Sequence, residues 1–282
     1  MSIKKSCFTS LCGLAIGVAS NAHAQSVGTT ATDAPYTVTQ TVSGPVTAIE
    51  GPTLAPSPTG TVAGNIVISP GAVGNLVNAG ASNITYDQTD KAVVVGAITS
   101  APGSGLPVLS IANQSSQVTL SAQAIGNQVA ATGEQDRVTV NQSLIGATSR
   151  VNSNVEITGS NNAMTAKSAA FGNSFTSTSG AGTVTVNQSV DSTSRIVVVD
   201  NTSFSSGRGT VSVQSAAYGN SAALATLAAA AVAGAGTTVN QTLTQTSAGT
   251  VNSTHSGTLT SLGGAATLAP VAIGNSVTTT VK

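Results

Sequence analysis

The residues that could perform chemistry are few and scattered. The carboxylates number nine: Asp33, Glu50, Asp87, Asp90, Glu134, Asp136, Glu156, Asp191 and Asp200. Cleaving a glycosidic bond takes two carboxyl groups flanking it, and only Asp87 with Asp90 and Glu134 with Asp136 stand close in sequence. Glu134 and Asp136 would share a face on a strand, but the surrounding run Ala131-Thr132-Gly133-Glu134-Gln135-Asp136-Arg137 reads as a turn, where solvation is the expected role. His255 is the one histidine beyond residue 24, and Ser253-Thr254-His255-Ser256-Gly257 supplies no acid or thiol. A Ser-His-Asp relay would need a distant partner that the sequence does not point to. No group of residues has metal-ligand spacing, no glycine-rich phosphate loop occurs, and Gly263-Gly264 lacks the aspartates of a calcium-binding nonapeptide. The expectation is a protein without cofactor or metal, and not an enzyme.

What recurs instead is a pair of structural motifs. Gly-Asn after a large hydrophobic residue occurs at Gly74-Asn75, Gly126-Asn127, Gly172-Asn173, Gly219-Asn220 and Gly274-Asn275, at intervals of 52, 46, 47 and 55 residues. A glutamine followed by Ser or Thr marches beside it at Gln40, Gln88, Gln142, Gln188 and Gln241, the last three within Val-Asn-Gln. Each such segment alternates with period two: Val184, Val186 and Gln188 fall on one face and Thr183, Thr185 and Asn187 on the other, as in a β-strand. Further strands are expected around Val93 to Ile98, Val118 to Ala124, Val155 to Thr158, Ile196 to Val199 and Thr210 to Ser215, with turn clusters between them. The alanine-rich stretch Ser221 to Ala233 reads as an inserted helix or loop, and Pro102 and Pro107 mark another inserted loop.

Repetition with this alternation predicts an all-β, repeat-built β-solenoid (a β-helix) in units of about 46 to 55 residues, with room for two coils of 23 per unit. Stacked coils pack each side chain on its own copy. That suits a chain whose 40% apolar content is mostly alanine and valine, with 2% aromatic residues and no tryptophan. Inward glutamines at Gln142, Gln188 and Gln241 could form an amide ladder, each donating to one copy and accepting from the next. The Gly-Asn pairs fit either a corner, through positive φ or close backbone approach, or a mid-strand position. Threonine arrays on solenoids can order water, but Thr37-Val38-Thr39 and Thr183-Val184-Thr185 give way to Val138-Thr139-Val140 and Thr237-Thr238-Val239, so no continuous threonine face is expected.

Residues 1–24 run from Lys4 and Lys5 through the apolar Leu11 to Ala19 to Ala22-His23-Ala24, the order of a secretory signal peptide cut after Ala24. Both cysteines, Cys7 and Cys12, lie inside it, so the mature chain is expected to have no thiol. Residues 25–60 hold Pro45, Pro52, Pro56 and Pro58 and read as a lead-in or cap, with the β-repeat domain over 61–282. Charged residues are 6% of the chain and its formal net charge is zero, with basic residues scattered singly, which excludes nucleic acid as the expected partner. The Asn-Gln-Ser and Asn-Gln-Thr runs match a glycosylation sequon but read as repeat residues beside a bacterial-type leader.

The runs Ser168-Ala169-Ala170-Phe171-Gly172-Asn173-Ser174 and Ser215-Ala216-Ala217-Tyr218-Gly219-Asn220-Ser221, with Gln40-Thr41-Val42-Ser43-Gly44-Pro45-Val46-Thr47-Ala48, resemble the holdfast anchor protein D family of stalked alphaproteobacteria. The Ser, Gln, Gly and Asn repeat is more loosely similar to curlin subunits, whose unit is about half as long. The resemblance implies export to the cell surface, outer membrane or medium, and attachment of an adhesive polysaccharide to the envelope alongside other anchor or secretion proteins. Self-association is a further expectation. The alternatives are a self-assembling curli-like fibre subunit and a carbohydrate-active β-helix enzyme.

Overall fold

The computed structural model describes residues 36–50, 66–79, 84–99, 109–112, 117–133, 137–158, 163–179, 182–205, 209–226, 239–257, 259–260 and 264–281. The expected leader, the loop around Pro102 and Pro107, Glu134, Asp136 and residues 227–233 of the alanine-rich stretch lie outside them. Five coils stack. The first comprises β1 (Tyr36–Val42), β2 (Val46–Glu50), β3 (Ile66–Ile68) and β4 (Gly71–Ala79). The second comprises β5 (Ile84–Asp90), β6 (Val93–Ile98), β7 (Leu109–Ala112) and β8 (Val118–Gly133). The third comprises β9 (Arg137–Leu144), β10 (Thr148–Thr158) and β11 (Met164–Ser179), and the fourth β12 (Gly182–Val190), β13 (Arg195–Ser205) and β14 (Val211–Thr226). The fifth comprises β15 (Val239–Ser247), β16 (Thr250–His255), β17 (Leu259–Thr260) and β18 (Ala266–Val281).

The chain is an all-β parallel solenoid. Its first sheet has the order β1-β5-β9-β12-β15, its second β16-β13-β10-β6-β2, and its third β18-β14-β11-β8-β3, with β4 also on β8. Neighbouring strands in each sheet are one sequence repeat apart, as in Gln142↔Gln188 and Asn127↔Asn173. One repeat therefore makes one coil, which corrects the two-coil division. The reason is strand length: the third sheet is built from 16-residue strands, so three sides consume the whole unit. Within residues 25–60, the stretch read as a lead-in or cap, the described residues form β1 and β2, with Pro45 at the turn before β2. One further reading changes. Ser221 to Thr226, read as part of an insertion, completes β14 on β11.

Alternation along the third sheet changes phase at Gly-Asn. In β8 the inward residues are Val118, Leu120, Ala122 and Ala124 before Gly126, then Asn127, Val129 and Ala131 after it. Gly-Asn is thus both mid-strand and a bend. The two halves feed different cores: Val118, Leu120, Ala122 and Ala124 join the second sheet and Leu144, whereas Val129 and Ala131 join Val138, Val140 and Phe175. The glycines serve close backbone approach. A Cβ on Gly126 would lie 2.7 Å from the carbonyl oxygen of Gly172 in the next coil, and one on Gly172 would collide with that of Gly219. Among the described glycines positive φ belongs to Gly146, at 63° in the turn between β9 and β10.

Candidate functional site: a buried amide septum and a hydroxylated outer face

Two amide columns divide the cores. Asn75 donates through Nδ2 to Oδ1 of Asn127, and so on through Asn173, Asn220 and Asn275, at 2.8 Å for each step. Gln88 donates to Oε1 of Gln40, Gln142 to Gln88, Gln188 to Gln142 and Gln245 to Gln188, at 2.7 to 2.9 Å. Each amide spends its second N–H across the core. Asn127 donates to the carbonyl of Ser143 at 3.0 Å and Gln142 to that of Ser174 at 3.0 Å, and equivalent pairs occur in the other coils. Those carbonyls can only accept, so they fix which end of each amide carries nitrogen. As a result the Asn column donates towards the C-terminal coils and the Gln column towards the N-terminal ones. The two lines of amide dipoles oppose.

Gln241 is the exception among the residues singled out from sequence. It lies opposite Val184 in register, while Gln245 stands opposite Gln188 and takes the rung. The correction follows from packing: this register sets Leu243 against the second apolar core, opposite Val186, and lets Ala248 N–H reach the carbonyl of Val190 at the turn.

The carboxylates separate. Asp87 points outward and accepts from Asn141 Nδ2 at 2.7 Å, whereas Asp90 is fully buried, three residues on along the same strand, so the two flank no common point. Asp90 Oδ1 accepts from Ala92 N–H at 2.8 Å and Oδ2 has no hydrogen-bond partner. Burial drives its pKa up to about 7 against the lowering effect of that one bond. Asp191 is the reverse. The Ser194 hydroxyl, foremost, with Thr193 and the N–H groups of Gly146 and Ser194, holds it down at about 2 and ties adjoining coils at the turn.

His255 has the distant acid that its own segment lacks. Asp200 stands opposite it in register, with Nδ1 3.8 Å from Oδ1. Ser215 and Ser168 bond Asp200 Oδ2 at 3.0 and 3.4 Å, and Thr202 N–H bonds Oδ1 at 3.0 Å. This is not a nucleophile relay: the serines bond the carboxylate rather than the imidazole, and neither His255 nitrogen has a hydrogen-bond partner. The spacing of 55 residues between Asp200 and His255, one repeat, was the available signal. Among the described residues no group of three His, Cys, Asp or Glu gathers as metal ligands.

The outer face of the first sheet carries an array that was not expected. Register aligns Thr37, Thr85, Thr139, Thr185 and Thr242 in one column and Thr41, Thr89, Ser143, Ser189 and Thr246 in another. Between them run Thr39, Asp87, Asn141, Asn187 and Thr244. All of them face solvent, fully or in part. The threonine columns are therefore continuous, which corrects the sequence expectation; aligning each strand on its ladder glutamine yields Thr-x-x-Gln-Thr/Ser five times. Neighbouring rungs lie about 4.8 Å apart and alternate residues about 6.6 Å apart, giving a regular lattice of hydroxyls and amides with one carboxylate, Asp87. It is held in place laterally by Asn187 to Asn141 at 2.9 Å and Ser189 to Ser143 at 3.1 Å. The other two sheets are less uniform: the third has one hydroxyl column, Thr119, Thr165, Ser212 and Thr267 beside Val67, but other outer columns mix Arg150 with Val197, and Lys167 with Ser121 and Gln214. Such an array can exchange many weak hydrogen bonds with a ligand whose own hydroxyls repeat. Compared with protein-family models, curated proteins and solved structures, the chain matches none.

Proposed function

We propose that this chain is an exported, non-enzymatic surface protein that holds an adhesive polysaccharide to the cell envelope, and that the outer face of the first sheet is where the glycan lies. The observation carrying this reading is the five-row register of Thr37, Thr85, Thr139, Thr185 and Thr242 beside the parallel Thr/Ser column. A polysaccharide offers a hydroxyl-rich chain with a constant repeat, and a rigid lattice meets it without the entropy cost of ordering side chains. Near-neutral charge suits a partner recognised by hydrogen bonds rather than by ion pairing. The resemblance to holdfast anchors points to the same partner.

The test compares a deletion strain with one carrying Thr139→Lys and Thr185→Lys, two outward positions whose change leaves the core intact. Stained polysaccharide should be shed into the medium by both strains, while the variant protein still reaches the surface. Polysaccharide retained by the deletion strain at the parental level would overturn the anchor reading. Retention by the variant alone would remove the first sheet as its contact face.

A further inference from the structure

Among the described residues two carboxylates, Asp90 and Asp200, are fully buried, and they are provided for differently. Asp200 is met by the hydroxyls of Ser215 and Ser168 and by the N–H of Thr202. Asp90 receives one hydrogen bond, from Ala92 N–H to Oδ1, and its Oδ2 has none. Its column reads Val42, Asp90, Leu144, Val190 and Ser247, so a carboxylate stands where the coils on either side place aliphatic side chains. Across the core Oδ2 rests against Gly126, where a Cβ would lie 2.6 Å from it.

No opposite charge answers this one. The groups packed round it are Val42 of β1, Leu144 of β9, Gly126 of β8 and Ala92 of the turn before β6, none of which titrates. The ionisable residues nearest in sequence, Asp87 and Lys91, face outward. Burial raises the Asp90 pKa to about 7, with the Ala92 bond the one opposing influence and no charge among the causes. An ionised carboxyl in such a place, with one oxygen unpaired, favours any opening that lets water reach it.

We infer that the second coil is a proton-controlled weak point of the solenoid: it is locked between its neighbours while Asp90 holds a proton, and it opens ahead of the third and fourth coils once Asp90 ionises. Water must enter at the end of β5, where the septum is tied down: Asn75 donates to the carbonyl of Thr89 at 3.0 Å and Gln88 to that of Gln128 at 3.1 Å. Drawing Asp90 away from Gly126 breaks both ties. Strands β1 to β4 follow, since among the described residues they pair only with strands of the second coil. The third and fourth coils keep their own pairing, because in a solenoid each coil leans only on its neighbours. The lock is complete in acid, weakens as pH rises from about 4 to about 7, and weakens no further above. Thr85 and Thr89 of the outer hydroxyl face belong to β5 and lose their alignment with it. The inference is independent of whether that face holds a glycan.

Amide hydrogen exchange of the full chain between about pH 5 and about pH 8, with rates corrected for the intrinsic pH dependence of exchange, tests it. The opening constant of β5 and β8 should rise by about a hundredfold over that range, roughly tenfold for each unit up to about 7, while that of β12 and β13 in the fourth coil should change by less than about threefold. Asp90→Asn keeps the acceptor for Ala92 N–H and cannot ionise, so it should flatten the profile of the second coil. Asp90→Leu copies Leu144 of the next coil and should leave β5 better protected at the alkaline end than in the unmodified chain. A second coil whose opening does not change with pH, a change of equal size in the second and fourth coils, or a pH dependence that survives both substitutions would overturn the inference.

Discussion

Truncating an internal rung of the amide septum should cost far more than truncating its end. Asn173 is fully buried, donates to Asn220 Oδ1 at 2.8 Å and to the carbonyl of Ser189 at 2.9 Å, and accepts from Asn127 at 2.8 Å. In Asn173→Ala, an N–H of Asn127 and the amide oxygen of Asn220 lose their partners in a space water does not reach. Each buried orphan costs about 1–3 kcal/mol, so the loss should be near 4 kcal/mol. Asn275→Ala removes the matching groups at an exposed position and should cost at most about 1 kcal/mol. Asn173→Asp adds a sharper criterion. At neutral pH a carboxylate would face two acceptors, Asn220 Oδ1 and Ser189 O, so this variant should be less stable than the alanine one, and it should regain stability as acid protonates the new side chain. Urea unfolding followed by the β-sheet circular dichroism signal, fitted with coupling between neighbouring repeats, measures all three. Equal losses for Asn173→Ala and Asn275→Ala, or an aspartate no worse than alanine, would refute the claim that the septum is satisfied rung by rung.

Two other outcomes follow from the geometry. Asp90 takes up a proton on folding between its ordinary carboxyl pKa and about 7, so its burial penalty is absent in acid, grows as pH rises from about 4 to about 7, and is constant above. The protein should lose up to about 4 kcal/mol of stability across that window, and Asp90→Asn should abolish this slope. Asp191 acts on the other side of the window, its contribution vanishing only as pH falls from about 4 through about 2. Gly172→Ala forces two coil backbones apart, since its Cβ would collide with the Gly219 carbonyl, and should destabilise by about 1–3 kcal/mol or more. Gly71→Ala meets nothing within 4 Å and should be neutral or slightly stabilising in the same unfolding measurement.

Fold class was legible from alternation and repetition alone, because a period-two pattern recurring at a fixed interval leaves few other ways to bury alanine and valine. The ladder was legible in kind but misassigned in its last rung. Val239-Asn240-Gln241 copies the wording of earlier strands, yet identity of wording is a local property, whereas register is decided by the column each side chain must enter. Leu243 suits the apolar column that holds Val140 and Val186, and only Gln245 then reaches the septum. The threonine face was hidden by the same habit, aligning strands on Thr-Val-Thr when the residue with the stricter burial requirement is glutamine. An exposed threonine tolerates a slip of one or two positions, while a buried amide that must meet a copy above, a copy below and a carbonyl across the core tolerates none. Coil length was the quantity that mattered most. Once one repeat is one coil, a separation of 46 to 57 residues means direct contact, and Asp200 and His255, unrelated as sequence, become neighbours. In a solenoid the most constrained polar residue should therefore set the alignment, and every other column, outward or inward, is then read from its distance to that residue.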